Sequence, residues 1–406
     1  METQPWMTAP ETQAVLKALM AKGALARFVG GCVRDALLQR DVHDVDIATT
    51  EPPENVLALL KKAGIHTVPT GIAHGTVTAV VRHKPFEITT LRRDVETDGR
   101  HAKVAYTDDW KEDAARRDFT MNAVFCDPDG TLYDPFDGIK DLHAGRVRFV
   151  GNAKERIKED VLRLLRFFRF YAEYGTAAPD AEALEACREL APLLPKLSGE
   201  RVHAEMLRLL GSDAAARVLR LMADEGVLAH LLPEATETDA LAALIACEKE
   251  TVGGHPIRRL AILLTPGPNA SGTVGEIAAR LKLSNVEKHR LMGLAASPIG
   301  ASEFESAKDV RRALYGFGAE RVQDEALLRW ARQGEGFAAA ARAALDEVAA
   351  WEPVAFPLKG KDLQALGVPP GPEMGTLLER LETWWIDGDF QASRGACLEK
   401  AKELVG

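Results

Sequence analysis

After a helically spaced run at 11–26 the apolar pattern is mostly short and β-rich to near residue 150 and helical beyond it, and this change constrains the fold more than any other feature of the chain. Before that point short β-rich runs recur: VDIAT (45–49), GTVTAVVRH (75–83), PFEITTLR (85–92), AVFCDP (123–128) and VRFVG (147–151). After it the spacing is helical in AKERIKEDVLRLLRFFRFYAEYG (153–175), SGERVHAEMLRLLG (198–211), the run from 214 to 234, DALAALIACEKE (239–250) and SAKDVRRALYGFG (306–318). Alternation with period two belongs to strands and a 3.6-residue period to helices. An α/β head with a small mixed sheet, followed by an all-helical tail, is therefore expected. A chain of 406 residues exceeds the usual single core, and no repeat of solenoid length stands out.

Charge narrows the partners. At a net charge of −9 the molecule is not a basic nucleic-acid module, so any polyanion must meet a local patch. One candidate is Arg146 to Arg169, where eight Lys or Arg face three acidic residues. The five cysteines are scattered, which excludes a zinc knuckle and an evident disulfide framework. No apolar stretch is long enough to span a bilayer and the N-terminus lacks the pattern of a signal peptide, so a cytoplasmic protein with no membrane contact is expected.

The stretch FVGGCVRDALLQRDVHDVDIAT (28–49) carries the chemistry. Residues i and i+2 of a strand share a face, so Asp44 and Asp46 point the same way. Paired carboxylates are costly unless a divalent cation neutralises them, and oxygen ligands suit Mg²⁺ or Mn²⁺. Glu87, in PFEITTL, is placed to add a third carboxylate from a neighbouring strand. Taken alone, DVD reads equally well as two exposed aspartates at a strand entrance. Upstream, Gly30 and Gly31 let the backbone approach an anion at a helix start, and Arg34 adds a charged fork. Triphosphate cradle and metal carboxylates together point to in-line attack on a nucleotide.

Two later segments complete the reading. RRDFTMNAV (116–124) offers Arg117 and Asp118 to a bound nucleotide, or merely a solvated basic strand start. In EDVLRLLRFFRFY (159–171), Val161, Leu164, Leu165, Phe167, Phe168 and Tyr171 share one side of a helical wheel, while Arg163, Arg166 and Arg169 occupy the other. Either this is an amphipathic helix with a solvated basic face, or Asp160 and Arg163, one turn apart, form a hydrogen-bonding edge for a base. A carboxylate accepts from an exocyclic amino group and a guanidinium donates to a ring nitrogen, so that edge fits cytosine and adenine and rejects uracil and guanine.

In this order, GGCVRD…DVD, RRDFTMNAV, EDVLRLLR and SGERVHAE resemble the class II tRNA nucleotidyltransferase and bacterial poly(A) polymerase family, over about residues 25–210. The resemblance implies a catalytic head of the DNA polymerase beta nucleotidyltransferase type, with helical neck, body and tail. The expected boundaries are 1–150 for the head, 151–212 for the neck that recognises the base, 213–300 for the body and 301–406 for a tRNA-binding tail. It further implies Gly31 and Arg34 on the triphosphate, Asp44, Asp46 and Glu87 at two Mg²⁺ ions, Arg117 on the nucleotide, and Asp160 and Arg163 on the base, with Arg166 and Arg169 lining the same site. Arg201 and Glu205 would brace the neck rather than touch substrate. Leu91 to Tyr106, holding Gly99, resembles the family's flexible loop. The only His-Asp dipeptide, His43-Asp44, falls inside the nucleotidyl-transfer motif, so no metal-dependent phosphohydrolase is expected.

The implied reaction adds CCA to a tRNA 3′ end from CTP and ATP, without a nucleic-acid template and without a covalent enzyme intermediate. Lys359 and Lys361, just before the turn GVPPGPEMG, are placed to grip tRNA phosphate, though an ordinary helix entry reads the same way. A poly(A) polymerase, a CC-only or A-only enzyme, and a non-catalytic RNA-binding shell remain as alternatives. No obligate protein partner is readable.

Overall fold

Alternation in VDIAT and PFEITT resolves into neighbouring strands of one sheet in the computed structural model, which describes residues 1–68, 71–97, 102–264 and 270–405. The chain divides into two units, Met1–Pro233 and Glu234–Gly406. In the first, the strands are β1 (Ala26–Val29), β2 (Val45–Thr49), β3 (His66–Val68), β4 (Thr76–Val81), β5 (Lys84–Thr90), β6 (Arg92–Thr97), β7 (Ala102–Tyr106), β8 (Phe125–Cys126) and β9 (Leu132–Tyr133). Seven of them form a sheet in the order β3-β4-β5-β2-β1-β8-β9, and β6 with β7 forms a separate hairpin. β2 and β5 run parallel; the other neighbours are antiparallel.

The helices of this unit are α1 (Pro5–Thr8), α2 (Pro10–Leu19), α3 (Gly31–Leu37), α4 (Pro53–Lys62), α5 (Trp110–Ala115), α6 (Gly138–His143), α7 (Ala153–Glu159), α8 (Leu162–Tyr174), α9 (Ala181–Leu190), α10 (Gly199–Gly211) and α11 (Ala215–Asp224). Val45 and Ile47 of β2 join Phe86 and Ile88 of β5 in a core shared with Leu16 and Leu19 of α2 and Val56 and Leu60 of α4. Each such burial stabilises by roughly 1.5–3 kcal/mol. The alternation that buries these residues turns the residues between them to the other face, and the parallel register sets Asp46 beside Glu87.

Three expectations are corrected. Leu91 to Tyr106 is not a loop throughout: its arms are β6 and β7, with a register shift at Asp94/Glu96, and Gly99 lies outside the described residues. Asp44 precedes β2 rather than lying on it. The single helix expected over 153–175 is two, because Asp160 is extended (φ −152°, ψ 106°) between α7 and α8. Its Oδ1 accepts from the Leu162 N–H at 3.1 Å, so the side chain competes with helix continuation.

The second unit is helical: α12 (Thr238–Glu250), α13 (Pro256–Leu263), α14 (Ala270–Arg280), α15 (Asn285–Ala295), α16 (Ala307–Phe317), α17 (Ala319–Gln333), α18 (Glu335–Ala350), α19 (Gly360–Ala365), α20 (Pro372–Asp387) and α21 (Arg394–Val405). Leu363, Leu381, Trp385 and Cys397 anchor the core of its last three helices. Exposed Lys359 and Lys361 flank the start of α19, and α20 begins directly after GVPPG. All five cysteines are free and buried. Among the described residues no helix is long and apolar enough to cross a membrane.

Candidate active site

Gly30 stands where β1 hands over to α3, at φ +73° and ψ −125°, a conformation that strains any residue with a Cβ. Asp46 Oδ2 and Arg117 Nη1 each lie 3.8 Å from the position a Cβ would take, so the bend sits between a carboxylate and a guanidinium. One turn into α3, the Arg34 guanidinium donates from Nε and Nη2 to Asp35 at 3.0 and 2.9 Å, and from Nη1 to Asn122 Oδ1 at 2.8 Å. Its Cζ lies 4.4 Å from the Tyr174 ring centroid and 5.3 Å from that of Phe170. Three of the five N–H groups are spent on this scaffold, leaving two to meet a ligand.

Asp46 is half-buried, whereas Asp44 and Glu87 are exposed. Burial, then the charge of Glu87, push the Asp46 carboxyl up to about 6; Arg117 opposes the shift and Asp44 adds to it. A carboxylate whose ionisation is disfavoured by burial and by carboxylates beside it is what a hard divalent cation relieves, so the donor set fits such an ion. Among the described residues no three His, Cys, Asp or Glu side chains already form a finished ligand set.

The RRD segment is anchored from below. Asp113, 1% exposed, takes Arg116 Nε at 2.8 Å on one oxygen and Arg117 Nη2 at 3.0 Å on the other. Burial opposes the charge of Asp113, but Arg117 and Arg116 outweigh it and hold the carboxyl below its usual range. Asp118 accepts from the Phe119 N–H at 2.8 Å, Asn122 Nδ2 at 3.0 Å and Arg166 Nε at 2.7 Å. Here too burial is overcome, by Arg166 first, and the carboxyl is held low. A continuous hydrogen-bonded chain thus runs Arg34–Asn122–Asp118–Arg166.

Beyond Arg166 lies the neck. Glu205 of α10 takes Arg169 Nε at 2.5 Å and faces Arg166 Nη1 at 3.6 Å. Arg163 donates to Glu159 Oε2 at 2.5 Å and to the carbonyls of Arg156 and Arg116, both at 3.1 Å. Asp160 Oδ2 accepts from Arg201 Nη2 at 2.6 Å.

A cleft of about 420 Å³ gathers both halves. Gly30, Gly31, Arg34 and Asp46 line one end, Asp160, Leu162, Arg163 and Arg201 the other, with Arg116, Arg117, Asp118, Asn122, Arg166 and Phe170 completing the wall. Six arginines and three aspartates give it positive character in an acidic protein. Several expectations change here. Arg169 is not among the lining residues: it is 8% exposed and bound to Glu205. Asp118 lines the cleft with both oxygens already occupied. Asp44 and Glu87 lie outside the lining, and Lys359 and Lys361 belong to the other unit.

Arg201 lines the cleft instead of only bracing the neck. The basic run Arg146–Arg169 is not one patch either, since Arg148, Lys154 and Lys158 pair with Asp141, Glu189 and Glu155 while Arg163 and Arg166 enter the cleft. Sequence reading missed Arg116 and Asn122, although both lie in RRDFTMNAV. Buried Asp113 has no local signal beyond its spacing from the two arginines, three and four residues on.

Residues 26–148 match the "Poly A polymerase head domain" family, and residues 178–238 match "Probable RNA and SrmB-binding site of polymerase A". The chain is 37% identical to the mitochondrial CCA tRNA nucleotidyltransferase 1 of Danio rerio, over 92% of this chain and 86% of that one. It is 31% identical to the CCA-adding enzyme of Limosilactobacillus fermentum over 100% and 99% of the two chains. The crystal structure of the Bacillus stearothermophilus CCA-adding enzyme in complex with CTP superposes with a TM-score of 0.77 at 30% identity, covering 97% of each chain.

Proposed function

The chain belongs to the CCA-adding tRNA nucleotidyltransferase family, and on that premise we propose how its cleft divides the work of the reaction. The enzyme adds C, C and A to the 3′ end of tRNA from CTP and ATP, with protein rather than nucleic acid as template. One observation carries this reading: a single cleft unites the Gly30–Arg34 cradle and Asp46 with Asp160 and Arg163, which lie over a hundred residues downstream.

Gly30 and Gly31 admit the triphosphate close to the backbone, and Arg34 donates its two remaining N–H groups to phosphate oxygens. Enzymes of this family generally use divalent cations. Asp44, Asp46 and Glu87 would hold them, two Mg²⁺ in our reading and Mn²⁺ as the alternative; bound there, they would supply charge stabilisation at the phosphates and lower the pKa of the attacking hydroxyl. Arg116, Arg117 and Arg166 place positive charge along the nucleotide, with Asp113 and Asp118 holding them in line. Asp160 accepts the amino group of cytosine or adenine and Arg163 donates to the ring nitrogen. To do so Arg163 must exchange Glu159 or a carbonyl for the base. Arg169 acts through Glu205, which it shares with Arg166.

We assign residues 1–150 to nucleotidyl transfer, 151–212 to base recognition, 213–300 to the body and 301–406 to tRNA, with Lys359 and Lys361 on a tRNA phosphate. Changing both lysines to Ala should flatten the salt dependence of tRNA affinity by about one to two units of slope; an unchanged slope removes them from the interface. The cytoplasm is the proposed compartment, although several relatives are named mitochondrial. The deciding assay incubates tRNA lacking its 3′ end with each labelled nucleotide and Mg²⁺. Additions in the order C, C, A support the proposal. A long A tail would instead favour a poly(A) polymerase, the reading that the head-family match keeps open, and no incorporation would favour a binding protein.

A further inference from the structure

We propose that Arg201 is a specificity-determining residue, which fixes the Asp160 carboxylate as an oriented acceptor and so sets the preference for bases with an amino edge. The inference rests on the reading of Asp160 as the base-contacting carboxylate.

Asp160 lies outside both flanking helices, so helix geometry does not orient its side chain. Two donors do. The Leu162 N–H holds Oδ1 at 3.1 Å, and Arg201 Nη2, from a residue 41 positions away, holds Oδ2 at 2.6 Å. One donor on each oxygen fixes the plane of the group. Each oxygen keeps a further lone pair, and an ionised carboxylate offers acceptors only. Cytosine and adenine present an N–H to that edge, whereas uracil and guanine present a carbonyl. A carboxylate free to rotate could turn from the mismatched carbonyl or admit a water between them. Held from both sides it must face the carbonyl unpaired, and that unpaired contact is the source of discrimination.

The neighbours support a dedicated role. On α10, Arg201 and Glu205 are four residues apart and share a face. Glu205 holds Arg169 and faces Arg166, so bracing of α8 is already supplied. Arg201 instead lines the cleft beside Asp160 and Arg163, with its side chain 30% exposed. Glu159, the remaining charge next to Asp160, is engaged by Arg163 and Arg156.

The test measures kcat/KM for CTP and for UTP in a single addition to tRNA that accepts C, using the full-length enzyme with Mg²⁺. Arg201→Leu should lower the CTP:UTP ratio by about tenfold or more, a change that a merely structural defect, slowing both nucleotides alike, does not produce. Arg201→Lys should recover part of the ratio. In an Asp160→Ala background Arg201→Leu should leave the ratio where Asp160→Ala put it, because Arg201 acts through that carboxylate. If Asp160→Ala collapses the ratio and Arg201→Leu does not change it, the inference is overturned while the reading of Asp160 stands. If Asp160→Ala itself leaves the ratio intact, that reading fails and takes the inference with it. Should Arg201→Leu not fold, Arg201→Gln, which keeps donors and loses the charge and the fork, decides by the same ratio.

Discussion

The two ends of the cleft are built differently. At the end proposed for the triphosphate, Gly30, Gly31, Arg34 and Asp46 come from one continuous passage, β1 to α3 to β2, and two of the three engaged N–H groups of Arg34 go to its own neighbour Asp35. At the end proposed for the base each charged group is held from a distant segment as well: Asp160 by Arg201, Arg163 by the carbonyl of Arg116, Arg166 by Asp118, across 41, 47 and 48 residues respectively. Damage at the locally built end should therefore cost rate. Damage at the end assembled by tertiary contacts should cost selectivity.

The largest effect is expected at Asp46. Asp46→Asn should lower incorporation by at least about 10³-fold, since it removes a carboxylate from the set that would hold the divalent cations stabilising negative charge at the phosphates. It should not lower stability in chelator at pH 7.5, because burial and Glu87 raise that carboxyl to about 6. The sign follows from linkage: an acid with a raised folded pKa contributes stability at low pH that is lost as pH rises through about 6. Single-turnover assays and thermal melts with and without Mg²⁺ check both halves. Retained turnover removes Asp46 from the chemistry.

Next is Asp160→Ala, expected to cut the preference for CTP over UTP by about 10²-fold while inorganic triphosphate still competes as in the parent. Loss of triphosphate competition in the same variant would erase the distinction between the two ends.

How much of this was legible follows the same division. The sheet-then-helix architecture and the gathering of Gly30, Gly31, Arg34 and Asp46 on one cleft are legible in the sequence, because alternation, a double glycine and DVD are short-range patterns. The break at Asp160 is not, because the apolar period runs through it; what ends the helix is a side-chain hydrogen bond to the Leu162 N–H. The resemblance puts Arg169 at the nucleotide site and the RRDFTMNAV box offers Asp118 there, and only tertiary packing shows that Glu205 and Arg166 occupy them. Arg201 was readable as part of a motif but not as a partner of Asp160, since nothing local links α10 to the α7–α8 break.

Asp118 joins the ends, and its replacement tests whether they are coupled. Asp118→Asn leaves Arg166 with only Glu205, at 3.6 Å, as a charged partner, and a stability loss on the order of 2 kcal/mol is expected, below the 3–5 kcal/mol of a fully buried pair because Arg166 is 29% exposed. Because Arg166 holds the Asp118 carboxyl low against the effect of burial, its contribution is present above the unfolded pKa of about 4 and lost as pH falls below it. Denaturant melts across pH 3–7 should show an acid-side decline in the parent that is shallower in the variant. An identical decline would mean that Asp118 does not carry the coupling.

The smallest effect concerns Tyr174, because α8 reaches both ends: its first residues enter the base end, and its last residue packs against Arg34. Tyr174 is 6% exposed, with its ring centroid 4.4 Å from the Cζ of Arg34 and 4.7 Å from that of Arg40. Its hydroxyl lies 3.0 Å from Asp35 Oδ1 and 2.8 Å from Glu173 Oε1, yet it has one proton to donate, so the hydroxyl cannot serve both at once. The stack, rather than the hydroxyl, should then be what steadies Arg34. Cation–π contacts contribute about 0.5–2 kcal/mol, so Tyr174→Leu should raise KM for CTP and ATP alike by about three- to tenfold, with kcat nearly unchanged. Tyr174→Phe keeps the ring and should shift KM by less than about twofold. If Tyr174→Leu also lowers the CTP:UTP ratio, α8 transmits base fit to the triphosphate grip, and the two ends act as one site rather than two.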